Sequence, residues 1–453
     1  MNKLTIGIIS AVTAFNLSVL AKALADEKPH LTLQTSFDRD GNPKGQLSGA
    51  NFPSNLSIPL QSSNDLQNWQ SHTYAKTDKN GDIMPLTINY DENKTGFIRG
   101  SSIDPVVREY QMGFTTWPYE ATLDAINNNG LFISQNSDII SYHFQGGIPY
   151  IHADRPTPKT LLEYPDFVQN HVNLQIRSTN PRKTYLAVDP INSLRNGIAL
   201  NWNENGMMQP RTDKWENIRF NDLEFINAYL NFARMLIDEF EPDYFNFGTE
   251  ATDLALASTE KFDDFIEFWG YTYTVLKSEY PDLKLMVSAA LKSPDTTEMQ
   301  TVGTIMNLME DYVDMYGIST YPYAFYNHED RGNPDTLPAD WLTQVLQYTA
   351  APLAITETSW PAENINIQND FDLQVTSTPE DQYKYIRELF EEVNRINAAF
   401  VIWFTAADYD RLGQTSDLSK IWEDTGILDQ NLVARPAYTE WNRLQQQPFT
   451  PQN

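Results

Sequence analysis

The chain has 453 residues, with 32 Lys and Arg against 60 Asp and Glu, a formal charge of −28, and no Cys. So large an acidic excess, without a Lys/Arg cluster, excludes nucleic acid or anionic lipid as the main partner, because both need cations to neutralise phosphates. The missing cysteines exclude disulfides, thiolate nucleophiles and zinc–thiolate sites, whereas 12% aromatic residues supply the apolar surface of a folded chain.

Residues 1–25 read as a secretory signal. Lys3 precedes an apolar stretch from Leu4 to Ala21, and Ala23-Leu24-Ala25 offers a small-x-small cleavage site before Asp26. Ser10, Thr13, Asn16 and Ser18 make the stretch too weakly apolar for a permanent membrane anchor. Its removal takes away two lysines and no acid, which leaves a mature charge of −30. The expected product is an exported protein, secreted or periplasmic, with no stable membrane insertion after cleavage.

Residues 26–103 read as a small all-β domain. Asp40-Gly41 and Asn80-Gly81 are hairpin-type turn pairs, flanked by alternating runs such as Leu31-Thr32-Leu33 and Thr87-Ile88-Asn89-Tyr90. The stretch Ser63-Asn64-Asp65-Leu66-Gln67-Asn68-Trp69, with Gly96-Phe97-Ile98-Arg99, resembles immunoglobulin-like sandwich modules of exported bacterial proteins. Asp78-Lys79-Asn80-Gly81-Asp82 has the look of a calcium loop, but its twelfth position is Asn89 and not a bidentate Glu, so a plain turn is expected.

From residue 104 to 453 the pattern changes to strand and helix in alternation. Strand-length apolar runs recur at Gln111–Thr116, Ile139–His143, Tyr185–Val188, Tyr244–Phe247, Leu285–Ala289, Met315–Thr320, Leu353–Thr356 and Phe400–Phe404. Helical periodicity separates them, as in Asp222–Asp238, Lys261–Tyr280 and Pro379–Asn397. Eight such repeats predict an α/β (β/α)8 TIM barrel, whose chemistry sits at the C-terminal ends of its strands.

Two of those ends carry a glutamate. Asn246-Phe247-Gly248-Thr249-Glu250 follows strand 4, and Ile355-Thr356-Glu357-Thr358-Ser359-Trp360 follows strand 7. Two carboxyls facing one pocket can divide labour, one kept protonated as an acid and the other ionised as a nucleophile. With Gly317-Ile318-Ser319-Thr320-Tyr321-Pro322 after strand 6 and Trp403 at strand 8, the region from Val106 to Gln447 resembles the clan A (β/α)8 retaining glycoside hydrolases, endo-β-1,4-galactanase-like or β-mannanase-like. The closing Gly426-Ile427-Leu428-Asp429 and Ala434-Arg435-Pro436-Ala437-Tyr438 fit the same resemblance. It implies Glu250 as acid/base, Glu357 as nucleophile, Tyr321 as hydrogen-bond partner of the nucleophile and Trp403 as a sugar platform.

The pattern departs at Thr249, where the clan usually has an Asn that binds the sugar 2-hydroxyl; a Thr-Glu pair occurs in some mannanase-like branches. Trp117 and Trp360 are candidates for stacking on a pyranose. His143 is a candidate to bind a hydroxyl or tune the nucleophile, and Asp189, Asn192 and, more weakly, Arg195 are candidate subsite ligands. Asp253 is a weaker alternative acid. His152, His171 and His328 have no joint spacing for a metal triad, so no catalytic metal or other cofactor is expected. The expected function is hydrolysis of β-glycosidic bonds in a neutral polysaccharide or its oligosaccharides, with endo action favoured. The alternative is a non-catalytic carbohydrate-binding protein on the same scaffold.

Overall fold

The computed structural model describes residues 107–450 apart from 157–159, 177–182, 369–371 and 413–416, together with the backbone of six strands between His30 and Gly100. The expected signal segment and the turns at Asp40-Gly41 and Asn80-Gly81 lie outside the described residues. Two compact units form, Met1–Arg108 with Asn442–Thr450, and Glu109–Trp441 with Pro451–Asn453.

In the first unit the six strands pair as two antiparallel three-stranded sheets. His30–Phe37, Pro43–Ala50 and Leu86–Asn89 make one, and Gln70–Lys76, Ser57–Ser63 and Phe97–Gly100 make the other. The first two strands pair from Phe37 opposite Pro43 to His30 opposite Ala50, the register of a hairpin. A backbone amide and carbonyl of Arg108 pair with the C-terminal segment, through Pro448 O at 2.9 Å and Thr450 N at 3.0 Å.

The second unit is a closed parallel barrel of eight strands: Gln111–Thr115, Ile139–Phe144, Lys183–Val188, Tyr244–Asn246, Lys284–Ala290, Met315–Thr320, Leu353–Thr358 and Phe400–Trp403. They are barrel strands 1 to 8 below. Each lies within a few residues of an apolar run in the sequence. The expected helices also form, as Leu223–Phe240, Thr259–Glu279 and Pro379–Arg395. In the last, Thr378 caps the start by accepting from Asp381 N, and Tyr385, Ile386, Leu389, Phe390 and Val393 bury one face at helical spacing. Among the described residues no helix is long and apolar enough to cross a membrane.

Alternation along each strand decides what fills the barrel. Ile139, Tyr185, Ala187, Met286, Met315, Ala354, Phe400 and Ile402 form one buried cluster, with Tyr244 packed against it. Extending these rows by steps of two toward the C-terminal ends brings His143, Asp189, Asn246, Ser288, Tyr321 and Phe404 to the mouth. The opposite parity faces the helices, where Trp403 packs 6.1 Å from the Tyr385 ring; Trp360, which shares the parity of Ala354, reaches the same side only through a break in strand 7 and stacks on Tyr385 at 4.6 Å.

Strand 7 breaks this alternation at the mouth. Ile318 pairs with Ile355 but Ser319 pairs with Glu357, so Thr356 is an extra residue, and the register against strand 8 shifts in the same place. Such a bulge puts two successive side chains on one side. Gly317 leaves room for it: a Cβ there would stand 2.7 Å from Thr356 Cγ2 and 2.8 Å from Ser288 Cβ. Gly317→Ala is therefore expected to destabilise the barrel by about 1–3 kcal/mol through overpacking. A urea unfolding series checks this, and unchanged stability would contradict the crowding.

Candidate active site

Glu250 is set by three neighbours of its own backbone. Gly248 N donates to Asn246 Oδ1 at 2.9 Å, Thr249 N to Asp189 Oδ1 at 3.0 Å, and Glu250 N to Ser288 Oγ at 2.8 Å. Glu250 itself is left-handed, with φ of 51°, a conformation that costs a side-chain-bearing residue roughly 1–2 kcal/mol. The helix Ala251–Ala257 starts directly after it, yet the carboxylate accepts no capping bond from that helix. It is thus aimed elsewhere, and Arg195 Nε donates to its Oε2 at 3.1 Å.

Glu357 is held from two other strands. Tyr321 Oη donates to its Oε2 at 3.1 Å, and His143 Nδ1 lies 3.0 Å from its Oε1. Its side chain is 10% exposed, against 19% for Glu250. The bulge at Thr356 carries the carboxylate into this company.

The two carboxyls sit in opposed environments. Burial raises the Glu250 carboxyl; Arg195 opposes this, while the charges of Glu357 and Asp253 add to it, and the result is a pKa pushed up to about 7. Burial would raise Glu357 too, but the hydrogen bond and charge of His143, then Arg195 and Tyr321, outweigh it and hold the carboxyl below its ordinary value. Tyr321 is driven well above the usual phenol range by burial and by both glutamates, so it remains a donor. One carboxyl is therefore a proton carrier near neutrality and the other a persistent anion.

Several sequence expectations are corrected here. Trp360 and Trp403 are fully buried on the helix-facing side and have no open face for a sugar. Trp403 donates through Nε1 to Thr425 O at 2.9 Å. Asp189 is buried and internal: Oδ1 accepts from Thr249 N, and Oδ2 from Arg195 Nη1 at 3.0 Å. Asn192, by contrast, is half-exposed and stays accessible to a ligand, while its hydrogen bonds with Asn196 at 2.8 and 3.1 Å close the loop that bears Arg195. Thr249 is wholly buried, so it offers no contact to a sugar. Asp253 is paired with Lys292 at 2.8 Å and is not free to act as the acid.

Tyr321 and His143 are where the sequence placed them, against Glu357. Trp117 is 46% exposed beyond strand 1, beside the rings of Phe404 and Tyr409, each with its centroid 6.0 Å away. Three residues that the sequence undervalued also belong to the mouth. Arg195, read only as a weak subsite ligand, bridges Asp189 and Glu250. Phe404 and Trp422 line the wall beside Tyr321, with Trp422 at 5.5 Å from Tyr321 and 6.2 Å from Phe404. The signal for Phe404 was available, since the row Phe400, Ile402, Phe404 has the inward parity and Trp403 does not. A separate hollow of about 470 Å³ on the outer helices, lined by Glu267, Tyr271 and Tyr312 among others, lies away from this chemistry.

No protein-family model and no curated protein matches the chain. Among solved structures it is similar to the exo-β-1,4-mannosidase Op5Man5 from Opitutaceae bacterium strain TAV5, with TM-score 0.51 and 10% identity over 75% of this chain and 59% of that one. A GH5_18 protein from Bifidobacterium longum subsp. longum ATCC 55813, solved with Manb1-4GlcNAc, aligns with TM-score 0.49 and 13% identity over 76% of this chain and 81% of that one. The chain thus spans about three fifths of the mannosidase it resembles. The likeness to the mannosidase is one of fold, the eight-stranded parallel barrel.

The raised Glu250 carboxyl has a consequence for stability. A group with a raised folded-state pKa binds its proton more tightly in the native state, so stability falls as pH rises from the ordinary value of 4.5 through about 7. Glu250→Gln removes that loss. The variant is expected to gain stability over the wild type by up to about 3 kcal/mol at pH 8 but little at pH 4.5. Denaturant titrations at the two pH values check the difference, and an equal ΔΔG at both would contradict it.

Proposed function

We propose that the chain is a retaining glycoside hydrolase acting on β-glycosidic bonds of a neutral polysaccharide or its oligosaccharides. The observation that carries this reading is the pair of glutamates at the ends of strands 4 and 7, one poised to give a proton near pH 7 and the other held ionised by His143 and Tyr321. The barrel shared with a mannosidase supports the fold side of the reading alone. The signal-like N-terminus supports export, and the exposed Trp117 supports sugar binding, because an indole face packs well on pyranose C–H groups.

In this mechanism the Glu357 carboxylate attacks the anomeric carbon while Glu250 protonates the departing glycosidic oxygen. Arg195 occupies Oε2 of Glu250, which leaves Oε1 to carry the proton. Esterification then removes the negative charge of Glu357, one of the causes that raise Glu250. The acid/base carboxyl becomes more acidic at the moment when it must take a proton from water. Attack of that water on the glycosyl ester releases the sugar with its configuration retained.

The activity should depend on pH as a bell, falling above about pH 7 as Glu250 loses its proton and falling below the ordinary carboxylate range as Glu357 gains one. Glu357→Ala is expected to lower turnover by at least about 10²–10⁴-fold. Glu250→Ala should spare substrates with activated aryl leaving groups and recover with azide, giving a β-glycosyl azide. A screen of β-galactan, β-mannan, β-glucan and xylan, with product sizing, supplies the substrate and separates endo from exo action. Binding of one of these polymers without turnover in the wild type would instead favour the carbohydrate-binding reading. Trp117→Ala should raise KM more than it lowers kcat, and an unchanged KM would remove Trp117 from the substrate path.

A further inference from the structure

Behind the strand 7 and strand 8 loops, three carboxylates from distant points of the chain converge. Glu363 follows strand 7, Asp408 follows strand 8, and Asp424 lies further along the same loop; one oxygen of each lies within 4.8 Å of the others. Arg435 meets part of this charge, donating through Nη1 to Asp408 Oδ1 at 2.7 Å and through Nη2 to Glu363 Oε1 at 2.8 Å. Gly426 N donates to that same Asp408 Oδ1 at 2.9 Å. One guanidinium thus faces three carboxyl groups, and it bonds two of them.

A second observation is independent of that count. Asp408 is 1% exposed, and its other oxygen, Oδ2, is sealed from solvent with no hydrogen-bond partner among the described residues. A buried carboxylate oxygen without a donor is costly, because it has given up water and received nothing in exchange. The site is made only of oxygen ligands, one of them buried and others open to water. That is the chemistry of a hard divalent cation, and the mixture of loop carboxylates suits the flexible shell of calcium better than the strict octahedron of magnesium.

We propose that Glu363, Asp408 and Asp424 bind a calcium ion, with water completing its shell, and that the ion fastens the strand 7 loop to the strand 8 loop. The backbone already brings these loops together at this place, through Ala362 N to Asp424 O at 2.8 Å. Gln382 Nε2 also donates to Trp360 O, Thr425 O and Gly426 O at 3.0, 3.2 and 3.0 Å. The same two loops follow Glu357 and carry Phe404 and Trp422, so the ion would steady one wall of the mouth. This inference does not depend on the hydrolase reading.

The test uses the full chain after chelation and desalting, with Ca2+ itself as the probe. Calorimetric titration should show one saturable site in the wild type, and saturating Ca2+ should raise Tm by about 3–6 °C. Mg2+ should do so more weakly. Asp408→Asn and Asp424→Asn should abolish the calcium-dependent rise. Asp424→Asn, which removes one carboxyl from a crowded acidic cluster, should be at least as stable as the wild type in chelator, which shows that the loss of binding is not a loss of folding. No uptake and no Tm rise in the wild type would overturn the proposal and leave a proton as the occupant. A rise that persists in both variants would overturn it equally, by placing the ion elsewhere.

Discussion

A β-strand sends alternate side chains to opposite faces, so a strand that lines a barrel with Ala354 and Thr356 must turn residue 357 outward unless something intervenes. The bulge at Thr356 intervenes. It brings Glu357 inward, between His143 of strand 2 and Tyr321 after strand 6, where the Tyr321 hydroxyl donates to the carboxylate and the imidazole stands 3.0 Å from its other oxygen, so that the carboxyl is held below its ordinary value. Gly317 makes the space that the bulge requires. The charge of Glu357 then contributes to holding the proton on Glu250, so a shift of one residue in strand 7 reaches the far side of the mouth.

Glu250 is arranged by the opposite means. Burial dominates there, and Arg195 opposes it only in part. The Asp189 carboxylate is central to this side, because one oxygen holds the Thr249 amide and the other holds the guanidinium that touches Glu250. Backbone position and charge are thereby fixed by a single buried group. The left-handed turn at Glu250 is sustained by the same network, through the bond from its amide to Ser288.

Much of this is legible in the sequence, and the residues that are not share a reason. The eight strands can be read because each is a short apolar run bounded by polar loops. Glu250, Glu357, Tyr321 and His143 can be read because they stand just beyond such runs. Trp403 misleads when residue type is weighed without parity; its neighbour Phe404 has the inward phase. Trp360 misleads because the bulge at Thr356 changes the phase of the residues after it, and a bulge leaves no mark in composition. Asp189 and Thr249 look like ligands from their place at strand ends, but both are buried, and Asp189 spends its oxygens on the Thr249 amide and Arg195. The meeting of Glu363, Asp408 and Asp424 has no sequence spacing to betray it, because the loops converge only in the folded barrel.

The central claim is that the two glutamates are held in opposite protonation states by each other and by their neighbours. Carbon-13 NMR titration of protein labelled at the glutamate carboxyl carbon tests it most directly, with Glu250→Gln and Glu357→Gln used for assignment. A carboxyl titrating at about 7 should be present in the wild type, absent in Glu250→Gln, and shifted downward in Glu357→Gln. A Glu250 carboxyl that titrates near 4.5 in the wild type, or does not move when Glu357 is neutralised, would contradict the account.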